Sequence, residues 1–129
     1  MGDVPVIMIV EDDAEMNALL CELLSTHEMN SLQAYSGKEA IEIFSRERID
    51  GILLDLMMPE MDGLEACREI RQMSDNPHLP IIMITAIAGR GVLEEGYEAG
   101  ADSFFIKPFM PGDIINKLKT LLEKSGKAG

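Results

Sequence analysis

The sequence predicts an α/β domain in which a parallel sheet is covered by helices on both faces. Five short apolar runs along the 129 residues are each followed by a segment with the apolar spacing of an amphipathic helix. This strict alternation indicates parallel strands joined by right-handed crossovers. The runs are almost continuously apolar, which is typical of strands buried on both faces of a sheet.

The first β–α unit opens the chain. Its strand is expected over 4–10, with Pro5 tolerated at its start. The acidic residues Glu11, Asp12 and Asp13 follow directly, and a helix runs from there to near His27. We expect one face of that helix to be apolar, formed by Met16, Leu19, Leu20, Leu23 and Leu24.

The second unit is less apolar, and its strand, 30–34, is expected nearer the sheet edge. Ser36 and Glu39 have the spacing of a capping box, which predicts a helix that continues to about Arg48. The residues that this helix is expected to bury are Ala40, Ile41 and Phe44.

The third strand lies in the stretch 51–59, an apolar run bounded by Gly and Pro that contains one carboxylate, Asp55. Burying an unpaired carboxylate is costly, so Asp55 is expected where the strand leaves the core. Ligands bind at the carboxyl ends of strands in open α/β sheets. Residues 58–61 are expected to form a turn, and Asp62 and Glu65 have N-cap and N3 spacing. The next helix is expected to bury Leu64, Cys67 and Ile70.

The fourth strand, 81–84, ends at Thr85 and Ala86, and its helix spans about 90–99. Gly91 and Gly96 lie in that helix, and each costs about 1 kcal/mol relative to Ala. We therefore expect this helix to be the most pliable.

Gly100 is expected to end the fourth helix in a left-handed conformation. The fifth strand, 103–106, leads to Lys107, and Pro111 begins the last helix. Its apolar stripe is Ile114, Ile115, Leu118, Leu121 and Leu122. Residues 1–129 are therefore expected to form one domain, with a core of about 4–124 and a tail or linker over 125–129.

The composition excludes several classes of function. The net charge is −12 and no Lys/Arg cluster is present, which argues against direct binding of nucleic acid or of anionic membranes. No apolar run is long enough to span a bilayer, and no secretory signal opens the chain. We therefore expect a cytoplasmic protein in which Cys21 and Cys67 are free thiols.

Polar residues follow four of the five strands, at the ends that a parallel sheet brings to one rim. They are Glu11 with Asp12, Asp55, Thr85 and Lys107. Two carboxylates about 4 Å apart repel each other by about 4 kcal/mol at an effective dielectric constant of 20, so a proton or a cation is needed. Carboxylate oxygens suit Mg²⁺, which we favour. Asp55 is then a candidate nucleophile for phosphoryl transfer, with Lys107 and Thr85 beside the transferred group.

The chain resembles the receiver domain of two-component response regulators over about residues 4–124. Any one of the shared motifs is weak alone, but five in this order are specific. They are Ile9-Val10-Glu11-Asp12-Asp13, Leu54-Asp55-Leu56-Met57-Met58-Pro59-Glu60-Met61-Asp62-Gly63, Ile84-Thr85-Ala86, Ala99-Gly100-Ala101-Asp102 and Phe105-Ile106-Lys107-Pro108-Phe109. The resemblance implies a five-stranded parallel sheet in the flavodoxin-like order 2-1-3-4-5.

The resemblance also implies roles for particular residues at the metal site. It makes Asp55 the phosphoacceptor and a metal ligand, and it makes Glu11 and Asp12 the acidic pair that holds Mg²⁺. The backbone carbonyl of Met57 matches a further metal ligand, whereas Asp13 matches the start of the first helix.

Further roles concern the phosphoryl group and the switch. Thr85 and Lys107 match the two phosphoryl contacts. Phe104 matches an aromatic residue that turns inward on activation, at a position where Tyr is frequent. The bond between Lys107 and Pro108 is usually cis in this family.

The implied function is a signalling switch that accepts a phosphoryl group from a phosphohistidine on a sensor histidine kinase or a histidine phosphotransfer protein. The domain would catalyse its own phosphorylation and slow hydrolysis without turning over a small substrate. The fourth helix, fifth strand and fifth helix would then change their affinity for a downstream protein target. We also expect apolar Met57 and Ile87 to slow loss of the phosphoryl group. Two alternatives stay open, a stand-alone regulator that works by docking and a receiver cut from a longer regulator or hybrid kinase. Homodimerisation on phosphorylation also stays open.

Three other functions fit the sequence less well. An aspartate-nucleophile phosphatase needs a second acid close after the nucleophile, where this chain has Met57. A flavodoxin-like carrier must cradle a phosphate after the first strand, where Glu11, Asp12 and Asp13 would repel it. A receiver-like module that only docks would not need the complete set of site residues.

Overall fold

The structure is a computed structural model that describes residues 4–56, 63–86 and 89–125. Five strands alternate with five helices in this part of the chain. The strands are β1 (Val6–Val10), β2 (Asn30–Ala34), β3 (Gly51–Asp55), β4 (Ile81–Thr85) and β5 (Ser103–Ile106). The helices are α1 (Ala14–Thr26), α2 (Gly37–Arg46), α3 (Gly63–Met73), α4 (Arg90–Ala99) and α5 (Pro111–Lys124). Among the described residues, no helix combines the length and apolar character needed to cross a membrane.

All five strands are parallel and lie in the order β2-β1-β3-β4-β5, which confirms the predicted fold class and strand order. Val10 of β1 pairs with Leu54 of β3, and Asp55 pairs with Ile84 of β4. The chain reverses its direction of travel across the sheet between β1 and β3. A crevice forms at such a point, outside the carboxyl ends of the strands.

The core has two layers because successive side chains of a buried strand point to opposite faces. Ile7 and Ile9 of β1 pack in one cluster with residues of α1 and α5. Met8 and Val10 pack in the other cluster, with residues of α2, α3 and α4. Both faces of the sheet are therefore covered, as the continuous apolar runs predict.

Local hydrogen bonds explain where several helices begin and end. The Asp13 side chain caps α1 by accepting from the backbone N–H groups of Glu15 and Met16. Ser36 Oγ accepts from Glu39 N at 3.1 Å, whereas the Glu39 carboxylate accepts from Tyr35 N at 2.7 Å. The expected capping box is thus present, with its return bond moved by one residue.

Three sequence-based expectations about element boundaries and faces need correction. The first strand begins at Val6 rather than Val4, and Val4 is 46% exposed. Leu19 is 60% exposed and lies outside the buried face of α1. Helix α2 ends at Arg46 rather than near Arg48, because Glu47 has extended backbone angles. The expected turn over 58–61 and the expected cap at residue 62 lie outside the described residues.

The turn between α4 and β5 is fastened to the rest of the fold by Arg71 of α3. Its Nε and Nη2 atoms donate to the Gly100 carbonyl at 2.9 and 2.7 Å, and Nη2 also donates to Asp102 Oδ2 at 2.9 Å. Asp102 Oδ2 in turn accepts from Ile81 N at 2.8 Å. Gly100 has φ = 117°, which confirms its predicted left-handed conformation. A single arginine therefore ties α3 to the carboxyl end of α4 and, through Asp102, to β4.

Candidate functional site

Three carboxylates meet at the carboxyl rim of the sheet. Glu11 directly follows β1 and Asp55 ends β3, and these two strands are neighbours. One carboxylate oxygen from each of Glu11, Asp12 and Asp55 lies within 4.8 Å of the others. The predicted convergence of acidic residues from the first and third strands is therefore confirmed.

The pocket is buried on one side and open on the other. Glu11 is 3% exposed and Asp55 is 6% exposed, whereas Asp12 is exposed to solvent. Two of the three carboxylates are thus largely removed from water, which raises the cost of leaving their charge uncompensated. The exposed third carboxylate marks the side from which solutes can enter.

Lys107 supplies a positive charge to the pocket from beyond β5. Its ammonium donates a hydrogen bond to Glu11 Oε1 at 2.7 Å and lies 3.4 Å from Asp55 Oδ2. The Lys107 backbone N–H donates to the Thr85 carbonyl at 2.8 Å, which fixes this residue to the end of β4. The structure therefore places Lys107 beside both carboxylates that follow the central strands.

Burial and charge act in opposite directions on the protonation of this pair. Burial raises the pKa of Glu11, and the hydrogen bond from Lys107 offsets that effect only in part. Burial by itself disfavours the Lys107 ammonium, but the Glu11 hydrogen bond and the negative charges of Asp55 and Glu11 outweigh it and raise the pKa of Lys107. Lys107 therefore stays protonated at neutral pH.

The donor set fits a hard divalent cation. With the carboxylates ionised and Lys107 protonated, three negative charges face one positive charge in this pocket. The remaining charge equals that of one divalent ion, and all ligand atoms are oxygens, as Mg²⁺ prefers. Glu11, Asp12 and Asp55 would hold it. The expected carbonyl ligand, Met57, lies outside the described residues, as does Ile87.

A buried asparagine that the sequence analysis missed fixes the backbone at Glu11. Asn17 of α1 is fully buried, and its Nδ2 donates to the Glu11 and Ala34 carbonyls at 3.0 and 3.1 Å. Its Oδ1 accepts from Gln33 Nε2 at 3.0 Å. A signal was available, because residue 17 lies three positions before Leu20 and seven before Leu24, on the same face of the helix.

A glycine shapes the other side of the pocket. Gly63, the first residue of α3, donates its N–H to the Leu56 carbonyl at 3.0 Å. A Cβ atom at this position would lie 2.5 Å from the Asp55 carbonyl oxygen and 2.7 Å from Leu56 Cα. Only glycine allows α3 to begin so close to the backbone of Asp55. Gly63 lies in one of the family motifs, but the motif alone does not indicate this packing role.

The remaining predicted residues lie at or near the same rim. Thr85 is fully buried at the end of β4, one residue beyond Ile84, the register partner of Asp55. Phe104 of β5 is partly buried and packs edge-on against Tyr97 of α4, with ring centroids 5.2 Å apart. The bond between Lys107 and Pro108 is cis, as the resemblance implies.

Comparisons with known proteins agree with this geometry. The family model of the response regulator receiver domain matches residues 7–119. The transcriptional regulatory protein ResD of Bacillus subtilis is 39% identical over 119 residues, which cover 92% of this chain and 48% of ResD. A probable transcriptional regulator, ycf27, of Porphyridium aerugineum is 37% identical over 122 residues, covering 95% and 50%. The chain thus spans about half the length of these relatives.

Solved structures show the same similarity. A CheY-like receiver domain protein from Methanospirillum hungatei superimposes with a TM-score of 0.90 at 26% identity, covering 98% of this chain and all of that chain. The signal receiver domain of a signal transduction histidine kinase from Syntrophus aciditrophicus gives a TM-score of 0.86 at 30% identity, covering 94% and 92%. The protein therefore belongs to the family of response regulator receiver domains of two-component signalling.

Proposed function

We propose that Asp55 accepts a phosphoryl group in a Mg²⁺-dependent reaction and that the domain acts as a phosphorylation-controlled switch. One observation carries this proposal. Asp55 is the buried carboxylate at the end of β3, with two further carboxylates within 4.8 Å and an ammonium at 3.4 Å. A nucleophilic carboxylate with charge compensation on both sides is what phosphoryl transfer requires.

The donor is proposed to be a phosphohistidine on a sensor histidine kinase or a histidine phosphotransfer protein. An Asp55 carboxylate oxygen attacks phosphorus, and the bond between phosphorus and the imidazole nitrogen breaks. The imidazole keeps the electron pair of that bond and leaves as the neutral ring, because its other ring nitrogen already carries a proton. A bound Mg²⁺ would neutralise charge on the transferred oxygens. Glu11, Asp12 and Asp55 would hold that ion in this proposal, and Met57 would contribute its carbonyl.

Lys107 and Thr85 are proposed to hold the phosphoryl group after transfer. The Lys107 ammonium makes its short hydrogen bond to Glu11 and its longer one to Asp55 in the unphosphorylated domain. A phosphoryl group replaces the single charge of Asp55 with about two. Lys107 then gains a stronger acceptor, and the Thr85 hydroxyl, on the strand next to β3, supplies a further donor.

The proposed output is a change in the surface formed by α4, β5 and α5. Lys107 is bound through its backbone to Thr85, and Phe104 of β5 packs against α4. Tyr97 and Ile106 on this surface are 51% and 36% exposed although they are large and apolar. We infer that this surface binds a downstream protein target. Homodimerisation on phosphorylation would use the same surface.

The domain itself is proposed to comprise residues 1–129, with a core of about 4–124. The described helix α5 ends at Lys124, in agreement with that boundary. Relatives of about twice this length are named as transcriptional regulators, and one similar structure is the receiver of a histidine kinase. The name of that structure links a receiver domain to a histidine kinase, which supports a histidine kinase as the partner.

Intact mass spectrometry after incubation with acetyl phosphate and Mg²⁺ tests the proposal. We expect one phosphoryl adduct on the wild-type chain and on Asp75→Ala, a control at an exposed acidic residue. We expect none on Asp55→Ala or after chelation of the metal. An adduct that persists in Asp55→Ala would contradict the proposed acceptor. Absence of an adduct with acetyl phosphate and phosphoramidate alike would favour a docking module, and sustained phosphate release from a simple monoester would favour a phosphatase.

A further inference from the structure

Helix α4 and strand β5 meet where a glycine lies against an aromatic ring. A Cβ atom on Gly96 of α4 would lie 2.5 Å from Cε2 of Phe104 and closer still to Cζ, at the tip of the ring. The same atom would lie 3.2 Å from Met83 Sδ. Non-bonded carbon atoms do not approach each other this closely, so the ring occupies the space that any other residue at position 96 would fill.

The ring is held on its other sides as well. The edge-on contact with Tyr97 has an interplanar angle of 62°, a favourable geometry for an aromatic pair. Phe104 and Val92 pack against the core cluster that contains Met83. The position of the ring is therefore set jointly by β4, β5 and α4, with Gly96 leaving the room for it.

The two glycines of α4 differ in their surroundings. A Cβ atom on Gly91 would meet nothing within 4 Å, whereas one on Gly96 would collide with the Phe104 ring. The expectation from sequence, that glycine makes the helix pliable, applies equally to Gly91 and Gly96. The structure gives Gly96 a separate packing reason.

We propose that Gly96 is the positioning residue for Phe104, so that the inward position of the ring requires glycine at position 96. The proposal rests on the proposed function, in which Phe104 is the switch residue. Any side chain at 96 displaces the ring or separates α4 from β5.

The test compares Gly96→Ala with Gly91→Ala in the full, unphosphorylated chain. Both changes raise helix propensity, but only the first introduces the collision. We expect Gly91→Ala to keep or raise the thermal midpoint and Gly96→Ala to lower it by about 4 °C or more. Nuclear Overhauser contacts between the residue-96 α-proton and the Phe104 ring are expected in wild type and Gly91→Ala and lost in Gly96→Ala.

The Phe104→Ala variant distinguishes loss of the Gly96–Phe104 contact from a general defect in α4. In Phe104→Ala, where the ring is absent, adding Gly96→Ala should no longer lower the midpoint, which gives a coupling between the two positions. An equal loss of midpoint with and without the ring would overturn the proposal, as would retained contacts in Gly96→Ala. None of these measurements needs a phosphoryl group. If Asp55 were not phosphorylated, the Gly96 variants could still be interpreted, and that failure would count against the proposed function alone.

Discussion

Lys107 donates a hydrogen bond to Glu11 at 2.7 Å across the carboxyl rim of the sheet, between residues 96 positions apart in the chain. The same ammonium lies farther, 3.4 Å, from Asp55. In the unphosphorylated domain the lysine is thus bound most closely to a proposed metal ligand and less closely to the proposed phosphoacceptor. The proposed metal binding and the proposed phosphorylation would therefore act on the same ammonium.

Lys107→Ala should tighten Mg²⁺ binding. The substitution removes a positive charge that competes with the ion for Glu11 and Asp55, so the Kd for Mg²⁺ should fall by about three- to ten-fold, given solvent screening. Isothermal titration calorimetry measures the constant, and Lys117→Ala, at an exposed lysine of α5, is the matched control. Weaker Mg²⁺ binding in Lys107→Ala would show that the lysine supports the metal site rather than opposing it.

Glu11→Gln should stabilise the metal-free domain at neutral pH. Because burial raises the pKa of Glu11 above its usual 4.5, the folded state holds the proton more tightly than the unfolded chain does. The resulting stability is fully present below pH 4.5 and is lost as pH rises through the raised pKa of the folded state. A neutral amide avoids that loss.

Thermal unfolding in the presence of a chelator checks this expectation. At pH 7.5 the midpoint of Glu11→Gln should exceed that of wild type. The difference should shrink towards pH 4. Glu42→Gln, at an exposed position, should show no such trend. Added Mg²⁺ should raise the midpoint of wild type more than that of Glu11→Gln. A lower midpoint for Glu11→Gln at pH 7.5 would refute the argument.

Gly63→Ala should destabilise the domain and disturb Asp55. The new Cβ atom would lie 2.5 Å from the Asp55 carbonyl oxygen, and backbone atoms on both sides make the collision hard to relieve. Overpacking of this kind costs about 2 kcal/mol. Urea unfolding measures the loss against Gly112→Ala, whose Cβ atom would meet nothing within 4 Å. If both variants unfolded at the same urea concentration, the close approach of α3 to β3 would not be required.

Cys67 should react far more slowly than Cys21 with iodoacetamide. Burial raises the pKa of Cys67 to about 11, and its Sγ donates to the Ala99 carbonyl at 3.4 Å, whereas Cys21 is half-buried. At pH 8 the reactive thiolate fraction of Cys67 is about 100-fold below that of an ordinary cysteine. Time-resolved intact mass should show one fast and one slow modification. Two equal rates in the folded protein would contradict the burial of Cys67, and urea should abolish the difference.

The fold and the acidic pocket could be predicted because they depend on the polarity of each residue and on its spacing along the chain. Continuous apolar runs followed by helical spacing place Asp55 at a strand end, and a parallel sheet then brings Glu11 and Lys107 to the same rim. No knowledge of side-chain packing is needed for that step. The strand order, which the structure confirms, was implied by the resemblance to the family and not by the pattern of apolar residues.

Packing residues were missed because their roles depend on neighbours that are distant in sequence. Asn17 was missed although its spacing from Leu20 and Leu24 places it on the buried face of α1, because its hydrogen-bond partners, the Ala34 carbonyl and the Gln33 side chain, lie on another element. Gly63 and Gly96 act through the absence of a side chain, which only the surrounding atoms reveal. Leu19 shows the reverse error, since an apolar residue was assigned to the buried face of α1 but lies 60% exposed.

The Arg71 contacts have a mechanical consequence for α4. Three hydrogen bonds from Arg71 hold the turn at Gly100 and Asp102 against α3, and a fourth, from Ile81 N to Asp102, holds it against β4. The carboxyl end of the helix is therefore a fixed pivot. The amino end, preceded by Gly89, has no side-chain cap. If α4 tilts, it would rotate about Gly100, and its amino end, which follows β4, would move the furthest.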